Sequence, residues 1–209
     1  MVKSDRLIDP TENQPIRLPG LKPGVCSGLI LSGAFYSDLK IGVWRRRTYQ
    51  EMEIRPIMQK DRVTLQSMLV KTEVFTSEEI DVAMELIDIV LRDQHQEDYK
   101  IHCMVDDQDQ PMGYICYGPT PMTQGTFDLY WIAVDLQFQG QGIGSRLLDF
   151  LEETVRDRKG RMILVDTSSI PQYEKTQKFY FRKGFQEVAR VPDYYHPGND
   201  RITFCKILL

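Results

Sequence analysis

One segment constrains the fold of this chain more than any other. The apolar run Ile132-Ala133-Val134 leads into a glycine-rich turn, and an amphipathic segment with helical spacing follows. The turn has glycine at Gly140, Gly142 and Gly144. Glycine has no Cβ, so the backbone can turn sharply and lie close to a ligand. The first turn of a helix offers unpaired N–H groups and the positive end of its dipole. The sequence therefore predicts a strand–turn–helix unit that binds a diphosphate.

The spacing of the glycines separates this turn from other phosphate-binding loops. It reads Gln-x-x-Gly-x-Gly over residues 139–144, and no Gly-Lys-Ser/Thr follows, as a Walker loop requires. The dinucleotide fingerprint Gly-x-Gly-x-x-Gly has a different spacing. The alternative interpretation is a glycine-rich strand-to-helix turn with no ligand.

A second motif covers residues 173–185, where a helical pattern ends before Gly184 and an apolar strand pattern begins. The turn after Ile-Ala-Val, together with Phe-Tyr-x-x-x-Gly-Phe in this motif, resembles motifs A and B of the GNAT superfamily of acyl-CoA-dependent N-acetyltransferases. The resemblance extends from about Met52 to the end of the chain. It implies an α/β (α+β) fold, with a mixed, mostly antiparallel central sheet that splays between strands 4 and 5 and is flanked by helices.

The N-terminal part of the chain differs from the rest. Residues 1–50 are rich in proline and glycine and then contain an apolar run, which is too short to span a bilayer. We therefore predict an N-terminal extension at 1–50 and a GNAT N-acetyltransferase domain at 51–209. The resemblance also allows a homodimer, because dimers are common in the family and the extension offers a surface for one.

The charge and the cysteine and histidine content of the chain limit the kinds of partner and cofactor that we expect. The net charge of −4 argues against nucleic acid and anionic membranes as partners. No Cys-x-x-Cys spacing joins the four cysteines, and the three histidines form no ligand motif. We expect reduced thiols, no metal site and a cytoplasmic location.

The resemblance assigns acetyl-CoA as co-substrate. The diphosphate is expected on the turn, mainly on backbone N–H groups, at Gln139, Gly140, Gln141, Gly142, Ile143, Gly144 and Ser145. Pantetheine is expected to pair like an extra strand with Ile132, Ala133 and Val134, and one N–H there would polarise the thioester carbonyl. The family's asparagine and alanine in motif B are replaced here by Tyr173 and Thr176. Despite this departure, Thr176 and Phe179 are the contacts expected from that helix.

Two residues are candidates for proton transfer. Tyr180 occupies the position of the tyrosine that often protonates the leaving thiolate in the family, and a phenol pKa of about 10 is near a thiol's ~8.5. Asp128 matches the carboxylate that many relatives carry on the preceding strand, where it would act as a base through water. Strand alternation predicts that Asp128 shares a face with Tyr130, Ile132 and Val134. The alternatives are a packing aromatic and a solvated aspartate.

The predicted reaction is direct acetyl transfer from acetyl-CoA to a primary amine, because neither motif contains a cysteine for an acyl-enzyme. The expected acceptor is a small molecule, contacted by Tyr130, Tyr194 and Tyr195. These last two lie in a predicted loop, 193–200, which would shape the pocket with a helix that starts at Thr76. The alternatives are a protein N-terminal or lysine acetyltransferase and a non-catalytic acyl-CoA-binding module.

Overall fold

The computed structural model describes residues 52–208. The predicted extension at 1–50, with Cys26, lies outside the described residues, and the domain boundary at residue 51 stays a prediction. Short 3-10 turns precede α1, α3 and α4. The elements, in chain order, are β1 (Glu53–Pro56), α1 (Arg62–Lys71), α2 (Ser77–Arg92), β2 (Lys100–Val105), β3 (Pro111–Pro119), β4 (Thr126–Val134), α3 (Ile143–Asp157), β5 (Met162–Ser168), α4 (Glu174–Arg182), β6 (Gln186–His196) and β7 (Asn199–Ile207).

The strands form one seven-stranded sheet in the order β1-β2-β3-β4-β5-β7-β6. Every neighbouring pair is antiparallel except β4 and β5. Those two strands are parallel and pair only from Thr126↔Met162 to Asp128↔Leu164. Beyond Asp128 they diverge, which confirms the predicted mixed sheet that splays between strands 4 and 5.

Helices cover both faces of the sheet. The first face carries α3 and α4, whose buried side chains, such as Leu147, Leu151 and Phe179, pack on Ile115 and Ile132 of the sheet. The second face carries α1 and α2 over a separate cluster that includes Trp131. Burial of these two apolar layers is the main stabilising contribution to the fold.

An irregularity in β4 overturns one prediction from strand alternation. The register moves from Cys116↔Trp131 to Tyr117↔Leu129, so Tyr130 is an extra residue on β4, a β-bulge. Ile132 packs in the cluster of the first face, whereas Tyr130 packs against that of the second. The prediction that Asp128 shares a face with Ile132 and Val134 is therefore wrong, because the bulge reverses the alternation. Asp128 and Tyr130 do share a face.

Local signals located the ends of two helices correctly. Thr76 is the N-cap of α2: its side chain accepts a hydrogen bond from the Glu79 N–H, and the Glu79 carboxylate accepts one from the Thr76 N–H. Gly184 follows α4 with a φ of 83°. Among residues 52–208, no helix combines the length and apolar content that crossing a membrane requires.

Three further details differ from the sequence-based prediction. Helical spacing of the apolar residues in 61–71 predicts Val63 on the apolar side of α1, but Val63 is 72% exposed. The continuous apolar run at 161–167 predicts a strand that is buried on both faces, as in a parallel pair, but β5 alternates in burial and pairs with β7 in antiparallel orientation along its whole length. The predicted loop at 193–200 is mostly strand, since β6 and β7 continue to a tight turn at Pro197-Gly198.

Candidate active site

The predicted strand–turn–helix unit forms around two glycines in the left-handed region. Gly140 has a φ of 75° and Gly142, the N-cap of α3, has a φ of 83°. A Cβ added at either position would meet no heavy atom within 4 Å. Glycine is therefore needed for the backbone conformation. The open space above both residues leaves room for a ligand next to the start of α3.

Side chains of the turn hold its backbone in place. The carboxylate of Asp135 accepts a hydrogen bond from the Gln137 N–H at 3.0 Å. The Gln139 amide donates to the Val134 carbonyl at 3.3 Å, and the Gln141 amide donates to the Gln137 carbonyl at 3.1 Å. The first N–H groups of α3 have no acceptor within the helix. The turn thus fixes its own shape and points helical N–H groups at the space above it.

A cavity of about 220 Å³ lies against this turn. Two cationic residues from the end of α4 line it opposite the helix terminus, and Lys183 also forms an ion pair with Asp149 at 2.5 Å. From the sequence, Arg182 is a candidate to line the cofactor, with a structural role as the alternative. Lys183 was not selected, because basic residues at a helix C-terminus are also typical of capping. The lining residues are Val134, Phe138, Gln139, Gly140, Gly142, Ile143, Gly144, Ser145, Phe179, Arg182 and Lys183.

The free edge of β4 leads from this cavity into the sheet. Residues 132–134 pair with β3 on one side, from Ile115↔Ile132 to Gly113↔Val134. On the other side, the pairing with β5 ends at Asp128. The backbone groups of β4 on that edge face the gap between the strands. This geometry suits an extended ligand that pairs like an additional strand.

The candidate acid lies in an aromatic cluster behind the first cavity. Tyr180 is fully buried, with ring centroids 5.5 Å from Phe179, 5.5 Å from Phe185 and 5.8 Å from Phe204. Phe179 lines the cavity itself. Thr176 is buried in the first turn of α4. Of the three α4 residues predicted for the site, only Phe179 reaches the cavity wall.

A second cavity, of about 200 Å³, opens where β4 and β5 begin to diverge. Asp128 lies in it and is 5% exposed. Burial raises the pKa of Asp128 to about 6, and the nearby charge of Asp166 adds to this, while the Thr120 hydroxyl opposes it. A carboxyl group with this pKa changes protonation near neutral pH, as a general base does. The lining residues are Asp128, Leu129, Tyr130, Leu164, Val165, Asp166, Arg201 and Thr203.

The predicted acceptor residues occupy different positions around this second cavity. Tyr130, the bulge residue, lines it. Tyr194 lies at its edge, where its ring is 4.4 Å from the Arg201 guanidinium carbon. Tyr195 packs edge-on against Tyr194 at 5.0 Å. Sequence analysis missed Asp166 and Arg201, because neither belongs to a motif.

The cysteines of the described residues are far from a reactive state. Cys103 and Cys116 are buried free thiols, and Cys205 is half-buried. Burial raises the pKa of Cys103 to about 12, and it raises that of Cys116 further. Between residues 52 and 208, no three His, Cys, Asp or Glu side chains group in a way that could hold a metal ion.

Comparisons with known proteins agree with this geometry. A family model for an acetyltransferase (GNAT) domain matches residues 98–187. A crystal structure of a GNAT-family protein from Desulfovibrio desulfuricans is 37% identical, with a TM-score of 0.72, over 76% of this chain and 99% of that one. Curated protein sequences contain no significant match.

Two more distant structures share the fold. An aminoglycoside 6'-N-acetyltransferase complexed with coenzyme A is 20% identical, with a TM-score of 0.59, over 75% of this chain and 97% of that one. The ribosomal-protein-S18-alanine N-acetyltransferase of Escherichia coli is 18% identical, with a TM-score of 0.59, over 75% and 94%. On the strength of the family model and the 37% identical structure, this chain belongs to the GNAT family of acetyltransferases.

Proposed function

We propose that this acetyltransferase moves the acetyl group of acetyl-CoA directly to a primary amine of a small molecule. The observation that carries the proposal is the free edge of β4 between two cavities. One end of this edge meets the glycine turn and the start of α3, and the other meets the buried carboxylate of Asp128. Such a path suits a long cofactor whose charged and reactive ends need different surroundings.

The first cavity would hold the diphosphate of acetyl-CoA. The N–H groups at the start of α3, with Gly140 and Gly142, would donate to its oxygens, and Arg182 and Lys183 would balance its charge. Pantetheine would extend along residues 132–134. The aminoglycoside acetyltransferase of the same fold is complexed with coenzyme A, which supports this choice of cofactor.

Asp128 and Tyr180 would divide the proton transfers between them. Asp128, directly or through one water, takes a proton from the acceptor ammonium. The amine nitrogen then attacks the thioester carbonyl carbon, and the C–S bond breaks as the new C–N bond forms. Tyr180 gives its hydroxyl proton to the departing thiolate, and the second proton that the attacking nitrogen loses as the amide forms returns to the Tyr180 phenolate. The products are the N-acetylated amine, the free thiol of CoA and the proton on Asp128, which passes to solvent. To protonate the thiolate, the Tyr180 hydroxyl, which is buried beside Phe179, has to reach the sulfur in the gap between β4 and β5.

The size of the second cavity favours a small acceptor. A space of about 200 Å³ accommodates an amine with a short side chain. Proteins of the same fold act on an aminoglycoside and on the alanine of a ribosomal protein, so the fold itself leaves both acceptor classes open. The enclosed carboxylate of Asp128 is the local feature that favours the small molecule.

The deciding experiment is acetyl-CoA turnover, measured as free thiol released, against amines, polyamines, aminoglycosides and short peptides. Wild type, Tyr180→Phe and Asp128→Asn should be compared. Turnover of one small-amine class that falls by about 10²-fold or more in both variants supports the proposal. Turnover of peptides alone would indicate a protein acetyltransferase. Binding of acetyl-CoA with no turnover of any acceptor would favour a non-catalytic module.

A further inference from the structure

The cavity around Asp128 contains two carboxylates from neighbouring strands. Asp128 is the last residue of β4 that pairs with β5, and it lies opposite Leu164. Asp166 lies two residues after Leu164 on β5, and alternation along the strand puts Leu164 and Asp166 on the same face. All three residues line the cavity. Two acidic side chains therefore share a cleft of about 200 Å³.

One carboxylate oxygen in this cleft has an unmet need for a donor. Asp128 is 5% exposed, and among residues 52–208 its Oδ2 has no donor in good hydrogen-bond geometry. The Thr120 hydroxyl is near enough to lower the pKa of Asp128, but it also lacks a partner in good geometry. A buried carboxylate oxygen without a donor raises the free energy of the folded state. An ammonium group in the cleft would supply both the donor and the compensating charge. The cleft is thus suited to a cationic ligand.

Within the part of the chain that the structure describes, Arg201 is the one cationic residue that lines the cleft, and it already has partners. The Thr203 hydroxyl donates to Asp166 Oδ1 at 2.5 Å, and Arg201 Nε lies 3.8 Å from Asp166 Oδ2. The guanidinium of Arg201 also covers the Tyr194 ring at 4.4 Å. With both carboxylates ionised, the charged residues that line the cleft carry a net charge of −1. This charge favours a ligand with a net charge of +1.

We propose that Asp166 is a specificity-determining residue, which with Asp128 selects acceptors that carry no carboxylate next to the reacting amine. This inference rests on the proposed function. The carboxylate of an α-amino acid lies a few Å from its amine, so binding would hold it against two like charges. The Arg201 guanidinium offsets one of the two negative charges, so the remaining net charge of −1 opposes the added carboxylate and attracts an amine that lacks it.

The test uses pairs of amines that differ by one carboxylate: tyramine and tyrosine, histamine and histidine, cadaverine and lysine. We expect kcat/KM to favour the decarboxylated member by about tenfold or more in at least one pair. Asp166→Asn, which keeps an acceptor for Thr203, should reduce that preference by about tenfold. Asp157→Asn removes the same charge from an exposed site at the end of α3 and should leave the preference unchanged.

Two results would overturn the inference: a preference for the carboxylated member, or an Asp166→Asn variant whose preference equals that of wild type. If no amine is acetylated, the proposed function fails, and calorimetric binding of the same pairs to the enzyme saturated with coenzyme A tests selectivity separately. Tighter binding of a decarboxylated member, weakened in Asp166→Asn, supports the inference. Absence of binding by both members of every pair overturns it.

Discussion

The hydroxyl of Tyr173 donates a hydrogen bond to Glu79 Oε1 at 3.5 Å. Glu79 belongs to the first turn of α2, on one face of the sheet, and Tyr173 directly precedes α4, which packs on the other face. The contact lies at the end of the sheet where the parallel strands β4 and β5 terminate, since Tyr173 follows the last residue of β5, Ser168, by five positions. It therefore connects the two helical layers beside the gap in which we propose that pantetheine binds.

This contact should contribute a measurable coupling between the two layers. A double-mutant cycle with Tyr173→Phe and Glu79→Ala isolates the hydrogen bond, because the lost capping box of Glu79 contributes equally with and without the Tyr173 hydroxyl and cancels. We expect a coupling free energy of about 0.5–1 kcal/mol in urea unfolding. We also expect Tyr173→Phe to raise the KM for acetyl-CoA more than that for the amine. Strictly additive single variants would show that the contact contributes nothing.

The pH dependence of catalysis should report Asp128. Its pKa is raised to about 6, and only the ionised form is a base. We therefore expect kcat/KM to rise with pH through about 6, in addition to the acceptor's own titration. In Asp128→Asn the step near pH 6 should disappear and the titration of the acceptor should remain. A step that persists in the variant would assign it to another group.

Asp128 should also destabilise the folded protein at neutral pH. Its folded pKa of about 6 is higher than its ordinary value of 3.8, because burial disfavours the charge. The folded state therefore binds more protons between these values, and stability falls as pH rises through that window. The difference in unfolding free energy between Asp128→Asn and wild type should therefore depend on pH. We expect this difference to favour the variant by about 1–3 kcal/mol more at pH 8 than at pH 4.

Denaturant unfolding at both pH values measures this difference. The exposed Asp157→Asn variant is the matched control and should change little at either pH. An equal effect of Asp128→Asn at pH 4 and pH 8 would mean that packing, and not ionisation, causes it.

Alanine at Gly142 should separate backbone strain from cofactor binding. Its φ of 83° is unfavourable for a residue with a Cβ, and we expect a loss of about 1–2 kcal/mol in stability. Gly198, in the β6–β7 turn, has the same φ of 83° and equally open surroundings. Gly198→Ala should therefore lose similar stability. Only Gly142→Ala should weaken acetyl-CoA binding in calorimetry, because its Cβ enters the cavity at α3. Equal affinities in both variants would contradict the proposed diphosphate site.

Short-range features were predictable because their causes are local. The glycine turn requires left-handed backbone at Gly140 and Gly142, and the glycines at these positions predict that conformation. The capping box at Thr76 and the glycine after α4 act through neighbours within a few residues. The order and pairing of the strands were predicted from the family resemblance that these local motifs carry.

The position of Asp128 was decided by the tertiary structure. Strand alternation alone predicts Asp128 on the same face as Ile132. The bulge at Tyr130 puts Asp128 on the opposite face. A bulge is defined by the pairing of two strands, here β4 with β3, so the sequence of β4 alone does not reveal it. Val63 has the right spacing for burial in α1 but is exposed, since no helix or strand within residues 52–208 packs over it.

By itself, the sequence determined the glycine turn, the helix ends and the family, because each depends on residues close together in the chain. The tertiary structure alone brought Asp128, Asp166 and Arg201 from three strands to one cleft, and Arg182 to the glycine turn. These residues are far apart in sequence, and the pairing of β5 with β7 and the packing of α4 bring them together. Burial, which only the packed fold creates, then raises the pKa of Asp128 to about 6, and this shift supports the role of base that we propose for it.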